Sequence, residues 1–247
     1  RAYFQFLCSY PKDLLVADAL LSIGDSLMEQ GLYNKALDIY EKVIREFAND
    51  DSGATTKAQF NIAKAYMKMG DYRNAIQVFL KARWKYCSDQ RRAEIEYQIG
   101  NCLYLLNEYQ DASNVLGNYL VNEEEGEFGE NAIFLLGDCF YKLDNYLGAF
   151  QIFRKATERY SKSNKVPGGI YCMGKSLRAM NMPESAIKIL REGLQAFPVD
   201  DTAGKMAFEI GMCYFDKGDY CLAYNAFDSF VKQYPQDELV VEAMIVM

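Results

Sequence analysis

A small residue recurs along this chain at nearly constant spacing: Gly24, Ala63, Gly100, Gly137, Gly174 and Gly211. The first step is 39 residues and the next four are 37 each. Nine residues after each stands Tyr33, Tyr72, Tyr109, Tyr146, Pro183 or Tyr220, and twelve after each stands an alanine: Ala36, Ala75, Ala112, Ala149, Ala186 and Ala223. A period of this size marks a stacked array of supersecondary units, none of which can bury its own apolar face alone. It fixes the fold class before any motif is considered, and it replaces the ordinary division of a 247-residue chain into two domains.

Each unit reads as two amphipathic helices and a tight turn. In 201–235, Ala203, Ala207, Ile210 and Tyr214 are spaced four, three and four apart, which is one face of a helix. Lys217-Gly218-Asp219 ends that helix, because Gly takes the left-handed cap conformation and Asp can cap the next helix. The second helix is expected to bury Tyr220, Ala223, Phe227 and Phe230 and to end at Tyr234-Pro235. The same turn is expected near 30–33, 69–72, 106–109, 143–146 and 180–183, with Asn107 and Asp144 standing in for the cap Gly. Pro183 fits the first turn of a helix, where its missing N–H costs nothing. The Gly or Ala of the first helix and the Ala of the second let the two backbones approach closely.

Composition removes several function classes. The chain has no histidine, hence neither the commonest general base nor the commonest metal ligand. No Gly-rich phosphate loop and no nucleophile–base spacing is present, so no catalytic residue, metal or cofactor is expected. A net charge of −7 argues against nucleic acid as a partner, and no apolar run approaches the ~20 residues that direct membrane insertion needs. None of the seven cysteines forms a C-x-x-C pair. Cys102, Cys139 and Cys213 occupy positions where other repeats carry Ser or Ala, so they read as buried small fillers, too far apart (~10 Å) to be bridged.

Small residue, Tyr at plus nine, Ala at plus twelve, Tyr40, Phe79, Leu116, Phe153, Leu190 and Phe227 at plus sixteen, and Pro near plus twenty-four: this pattern resembles the tetratricopeptide repeat over essentially the whole chain. Two features depart from it. The period exceeds the family's usual length of about 34, and the family's Trp is replaced by Leu20, Gln59, Glu96, Ile133, Ile170 and Ala207. The longer period and endings such as Phe197-Pro198-Val199-Asp200-Asp201 are similar to those of a bacterial subgroup that includes the TolA-binding protein of the Tol–Pal system and the outer-membrane assembly lipoprotein. That resemblance implies the bacterial cell envelope or periplasm, whereas the cysteine content favours the cytoplasm. The family resemblance implies an all-α, right-handed superhelical solenoid of antiparallel helix pairs whose first helices line a concave face. The expected division is one array: 1–11 the end of a preceding repeat, then repeats at 12–49, 50–88, 89–125, 126–163, 164–200 and 201–237, and 238–247 the opening of a seventh. Both ends are apolar rather than capped, so a piece of a longer protein is expected.

On the concave face the resemblance places three rows. One is Leu21, Phe60, Tyr97, Phe134, Tyr171 and Phe208, read mainly as core. A second is Met28, Met67, Tyr104, Tyr141, Arg178 and Phe215, whose large side chains have no evident internal duty. Between them lie Asp25, Lys64, Asn101, Asp138, Lys175 and Met212. Met28, Lys64, Met67, Tyr97, Asn101, Tyr104, Asp138, Tyr141, Lys175, Arg178 and Phe215 are therefore the candidate partner-binding residues, in a groove suited to an amphipathic helix or an extended apolar peptide. Lys64 and Asn101 alone suggest a clamp for a terminal carboxylate. A basic join (Lys81, Arg83, Lys85, Arg91, Arg92) precedes an acidic one, whose Glu123, Glu124, Glu125 and Glu127 offer a secondary contact or hinge. The function this supports is a non-catalytic scaffold or adaptor that binds other proteins within a larger assembly. The alternatives are the targeting arm of an enzyme whose catalytic domain lies elsewhere, and self-association through the open ends of the array.

Overall fold

The structure, a computed structural model, describes residues 14–48, 53–83, 89–123 and 126–247. The side chain of Glu123 is not described, and Cys8, Tyr10-Pro11, Lys85, Cys87, Glu124 and Glu125 lie outside the described residues. Among the described residues the chain is all helical, with no strand. It divides into two compact units, Arg1–Val115 and Leu116–Met247.

The first unit contains α1 (Leu14–Glu29), α2 (Tyr33–Glu46), α3 (Ala54–Lys68), α4 (Tyr72–Arg83), α5 (Asp89–Leu105) and the start of α6 (Tyr109–Glu123). The second continues with α7 (Gly129–Lys142), α8 (Tyr146–Arg159), α9 (Val166–Ala179), α10 (Pro183–Ala196), α11 (Ala203–Asp216), α12 (Tyr220–Gln233) and α13 (Val240–Val246). Every hairpin turn falls where the sequence predicts it. Within each unit a helix packs on the next in sequence, and first helices also meet one another, α1 with α3 and α9 with α11. One face of each unit is thus built from first helices side by side.

The six hairpin turns share one geometry. In each, the residue before the second helix donates its N–H five positions back, as Leu32 to the Leu27 carbonyl at 2.9 Å and Met182 to the Leu177 carbonyl at 2.9 Å. This closure needs one left-handed residue. Gly31, Gly70 and Gly218 supply it with φ of 73°, 78° and 82°, and Asn107, Asp144 and Asn181 supply it with 62°, 57° and 57°. A second recurring turn joins repeats in the second unit. The carbonyls of Gly126, Ser163, Asp200 and Asp237 accept from the N–H three residues on. The Ser163, Asp200 and Asp237 side chains also accept a backbone N–H two residues on, Lys165, Thr202 and Leu239 respectively, at 2.8–3.0 Å. The described part of the acidic join, 126–129, therefore has the same backbone turn as its neighbours, with Gly126 standing where they carry a capping side chain.

The core shows why small residues recur. A Cβ placed on Gly137 would lie 2.8 Å from the Phe153 ring, and those on Gly24, Gly174 and Gly211 would meet Tyr40, Leu190 and Phe227 in the same way. The first-helix glycine is thus a seat for the plus-sixteen side chain of the second helix. These side chains are 2% exposed or less, as are Ala36, Ala75, Ala112, Ala149 and Ala186, with Ala223 at 3%. Cys102, Cys139 and Cys213 are fully buried and unbonded, and burial pushes their thiols up to about 12, so they stay protonated and inert. Tyr220 departs from expectation. It is 65% exposed, because it opens α12 at the solvent side of the turn, where its ring meets that of Phe215 edge-to-face.

Candidate functional site

The three rows take three different environments. Leu21, Phe60, Phe134 and Phe208 are core, as Phe60 shows by packing edge-on to Phe79 at 5.6 Å, while Tyr97 and Tyr171 are half-buried. The row of Met28, Met67, Tyr104, Tyr141, Arg178 and Phe215 has the internal duty that the sequence did not disclose. It sits near the end of each first helix, and its three rings face the tyrosine that opens the second. Tyr104 meets Tyr109 at 5.5 Å, Tyr141 meets Tyr146 at 5.3 Å and Phe215 meets Tyr220 at 5.6 Å, all edge-to-face. These rings staple the hairpin and remain partly open to solvent. Where Pro183 removes the tyrosine, Arg178 replaces the ring and turns to the next repeat. Its guanidinium donates to Glu209 at 2.5 Å and to Asp216 at 3.0 Å. Glu209 is only 3% exposed, and sequence spacing alone gave no reason to pair it with Arg178.

In the first unit Asp25 and Lys64 of the middle row are internally paired. Asp25 accepts from the Tyr40 hydroxyl at 2.6 Å and from the Asn61 amide at 2.8 Å. Lys64 pairs with Glu94 at 2.9 Å and lies over the Phe60 ring at 4.4 Å, and Lys57 lies 3.8 Å from Asp18. Asp18, Asp25, Lys57, Asn61, Lys64 and Glu94 line an open cavity of about 560 Å³ on the first-helix face. With Glu94 already on Lys64, the pairing of Lys64 with Asn101 does not present an open ammonium for a terminal carboxylate. The basic join also has an internal partner: Arg83 and Arg92 lie 2.8 and 3.5 Å from Glu96. Glu127, of the acidic join, is exposed.

In the second unit the middle row is different. Lys175 lies over Tyr141 at 4.8 Å and over Tyr171 at 5.4 Å, so rings from neighbouring repeats hold one cation. Burial pushes Asp138 up to about 6, with Lys142 and Lys175 pulling the other way. The two donors that satisfy Asp25 have no counterparts here. Phe153 stands at the register position of Tyr40, and Cys172 at that of Asn61. Among the described residues no group of three His, Cys, Asp or Glu side chains converges as a metal site, and no helix is long and apolar enough to cross a membrane.

Paired helices with one repeated turn, stacked so that first helices share a face, define a helical-hairpin repeat protein. Residues 131–163 and 207–237 match a tetratricopeptide-repeat family model, and residues 29–119 match one described as anaphase-promoting complex, cyclosome, subunit 3. The chain is a tetratricopeptide-repeat protein. It is 29% identical over 144 residues to the outer dynein arm-docking complex subunit 4 of Danio rerio, an alignment that takes in 56% of this chain and 29% of that protein's length. Among solved structures it resembles the C-terminal part of a TPR repeat-containing protein from Cytophaga hutchinsonii (16% identity, TM-score 0.76, 98% of this chain and 92% of that one). It also resembles YrrB, a TPR protein with an unusual peptide-binding site (20% identity, TM-score 0.62, 82% and 96%). At these identities the structures speak for the fold alone. The likeness to the bacterial envelope subgroup draws no support from these comparisons.

Proposed function

We propose that this chain is a non-catalytic interaction scaffold that holds a partner polypeptide against the first-helix face and serves as an adaptor in a larger protein assembly. The observation that carries this reading is the middle and end rows of that face. Tyr141, Tyr171, Lys175 and Asp138 in the second unit, and the open cavity lined by Asp18, Asn61 and Lys64 in the first, gather aromatic and charged groups on one solvent-accessible face. Partly exposed tyrosines offer contact area at low entropic cost, as binding surfaces require. The docking-complex relative supports the adaptor role.

A photo-crosslinking residue at Lys64 or Lys175 tests it. Partner adducts are expected there and not from Glu158, on the exposed side of α8. Adducts from Glu158 alone refute the placement.

A further inference from the structure

The second helices of the second unit carry a departure from the repeat pattern. Six positions after the residue that opens each second helix stands a branched aliphatic side chain, Ile39, Val78, Val115, Ile152 or Ile189, except in α12, where Ala226 takes the place. Ile189 of α10 reaches back to the core cluster formed by α7, α8 and α9, and so fills the seam towards the preceding repeat. Ala226 is too short to do the same, and an open pocket of about 310 Å³ lies at its seam, between α10 and α12, with Ile210 and Tyr214 of α11 at its floor. Two more columns change with it. Two positions after the opening residue the other repeats carry Lys35, Asn74, Asp111, Gly148 and Ser185, whereas α12 carries Leu222, which is 48% exposed. Nine positions after it they carry Lys42, Lys81, Asn118, Lys155 and Glu192, whereas α12 carries Ser229. A nearby size change is compensated: Ile170 covers Gly193 in one repeat, and in the next the bulk passes from Ala207 to Phe230. Ala226 has no such compensation, since it still lines open space.

The lining decides what fits. Leu194, Ile210, Leu222 and Ala226 make the pocket apolar, and the one charged side chain among the lining residues is Arg191. Its guanidinium donates to the Tyr214 hydroxyl at 2.7 Å, which spends one of five N–H donors and leaves the others for a ligand acceptor. No carboxylate lines the pocket, so an acidic partner is attracted and a basic one repelled. The α12 lining runs from Leu222 to Gln233 in helical steps, a length of about 16 Å or three turns. A helix laid along this seam matches that length and packs as helices do, ridge into groove. Asn225, Ser229 and Gln233 offer hydrogen-bonding groups along the seam, which suit the polar flank of a helix better than an acyl chain. We propose that the seam between α10 and α12 is a second docking surface, which takes an amphipathic helix of a partner protein, its apolar ridge in the pocket and a flanking Asp or Glu on Arg191. No residue of the three first-helix rows lines this pocket, so the surface is separate from the scaffold face proposed above.

The test uses the full 247-residue chain and fluorescently labelled, end-capped peptides of about 14 residues, stapled as helices and read by anisotropy. Each pool carries Leu at i, i+3, i+4 and i+7, with Glu, Gln or Lys at the flanking positions. The Glu pool is expected to bind, the Gln pool about threefold more weakly and the Lys pool more weakly still. Arg191→Gln should remove the difference between the Glu and Gln pools. Ala226→Ile, which fills the pocket, should weaken the Glu pool about tenfold or more. Leu222→Ser and Ser229→Lys should weaken it as well. These last three variants restore residues that other repeats already carry at the same register, so the fold is expected to survive, with circular dichroism as the check. Binding that Ala226→Ile and Leu222→Ser leave unchanged overturns the proposal, because the peptide then sits elsewhere. Equal binding of the Glu and Gln pools overturns it too, as does binding by no pool. A fluorescent fatty acid is run beside the peptides. If it binds, is lost in Ala226→Ile and the peptides fail, the pocket takes an acyl carboxylate and the proposal falls. The first-helix face is tested separately, by the crosslinks at Lys64 and Lys175.

Discussion

Asp138 should make the folded chain less stable at neutral pH than an uncharged side chain of the same shape. Its carboxyl is raised from 3.8 to about 6, chiefly because burial disfavours the charged form, with Lys142 and Lys175 offsetting only part of this. A raised carboxyl means that the folded state holds its proton more tightly than the unfolded chain does. Stability from this group is therefore full below the unfolded value near 4 and is lost as pH rises towards 6. The full shift corresponds to about 3 kcal/mol, and solvent reaching the groove reduces this to about 2 kcal/mol. Asp138→Asn removes the titration and keeps the shape. Urea unfolding followed by circular dichroism should show the variant about 2 kcal/mol more stable at pH 7.5 and within about 0.5 kcal/mol of wild type at pH 4. Other carboxylates titrate alike in both proteins and cancel in the comparison. A difference that is the same at both pH values, or a variant that is less stable at pH 7.5, refutes the burial assignment.

Three further outcomes follow from the packing. Ala149→Leu places a branched side chain in a fully buried site, and thermal melts should show a loss of about 1–3 kcal/mol. At Asn181, the left-handed turn residue with φ of 57°, Gly should be tolerated while Leu costs about 1–2 kcal/mol in the same measurement. Arg178→Ala leaves Glu209 buried without its guanidinium. It should cost about 1–3 kcal/mol at pH 7 and less as the pH is lowered, because burial raises the Glu209 carboxyl and eases its protonation once the guanidinium is gone, with hydrogen exchange in α11 as the readout.

The periodic elements could be read directly from the residues. The turn positions, the alanine row, the buried cysteines and Pro183 at the head of α10 all follow from local rules: one left-handed residue per turn, one small residue per close approach. The middle and end rows were placed on the right helices, but their partners were not legible. Spacing shows that Tyr104 and Tyr141 lie on one face. It does not show that each ring turns back across the hairpin to the tyrosine five residues on, because that depends on the turn's geometry. The reach from Arg178 to Glu209 spans two repeats and has no periodic signature. For Asp138 a signal was present and went unread: Phe153 and Cys172 break the columns in which Tyr40 and Asn61 stand, so the acid keeps its place while its donors vanish. Aligning the repeats for chemistry as well as for size would have exposed it.

In each unit, helices meet the next helix or the next but one, and each glycine seat is filled from its own hairpin. Such contacts close short loops and so incur little closure entropy before they are rewarded. The consequence is kinetic. Each hairpin can nucleate wherever it first forms and grow in either direction, so a core substitution such as Ala149→Leu should slow the local step at α7 and α8 and leave refolding of the first unit at its own rate. Time-resolved exchange labelling of the two units during refolding would follow this directly.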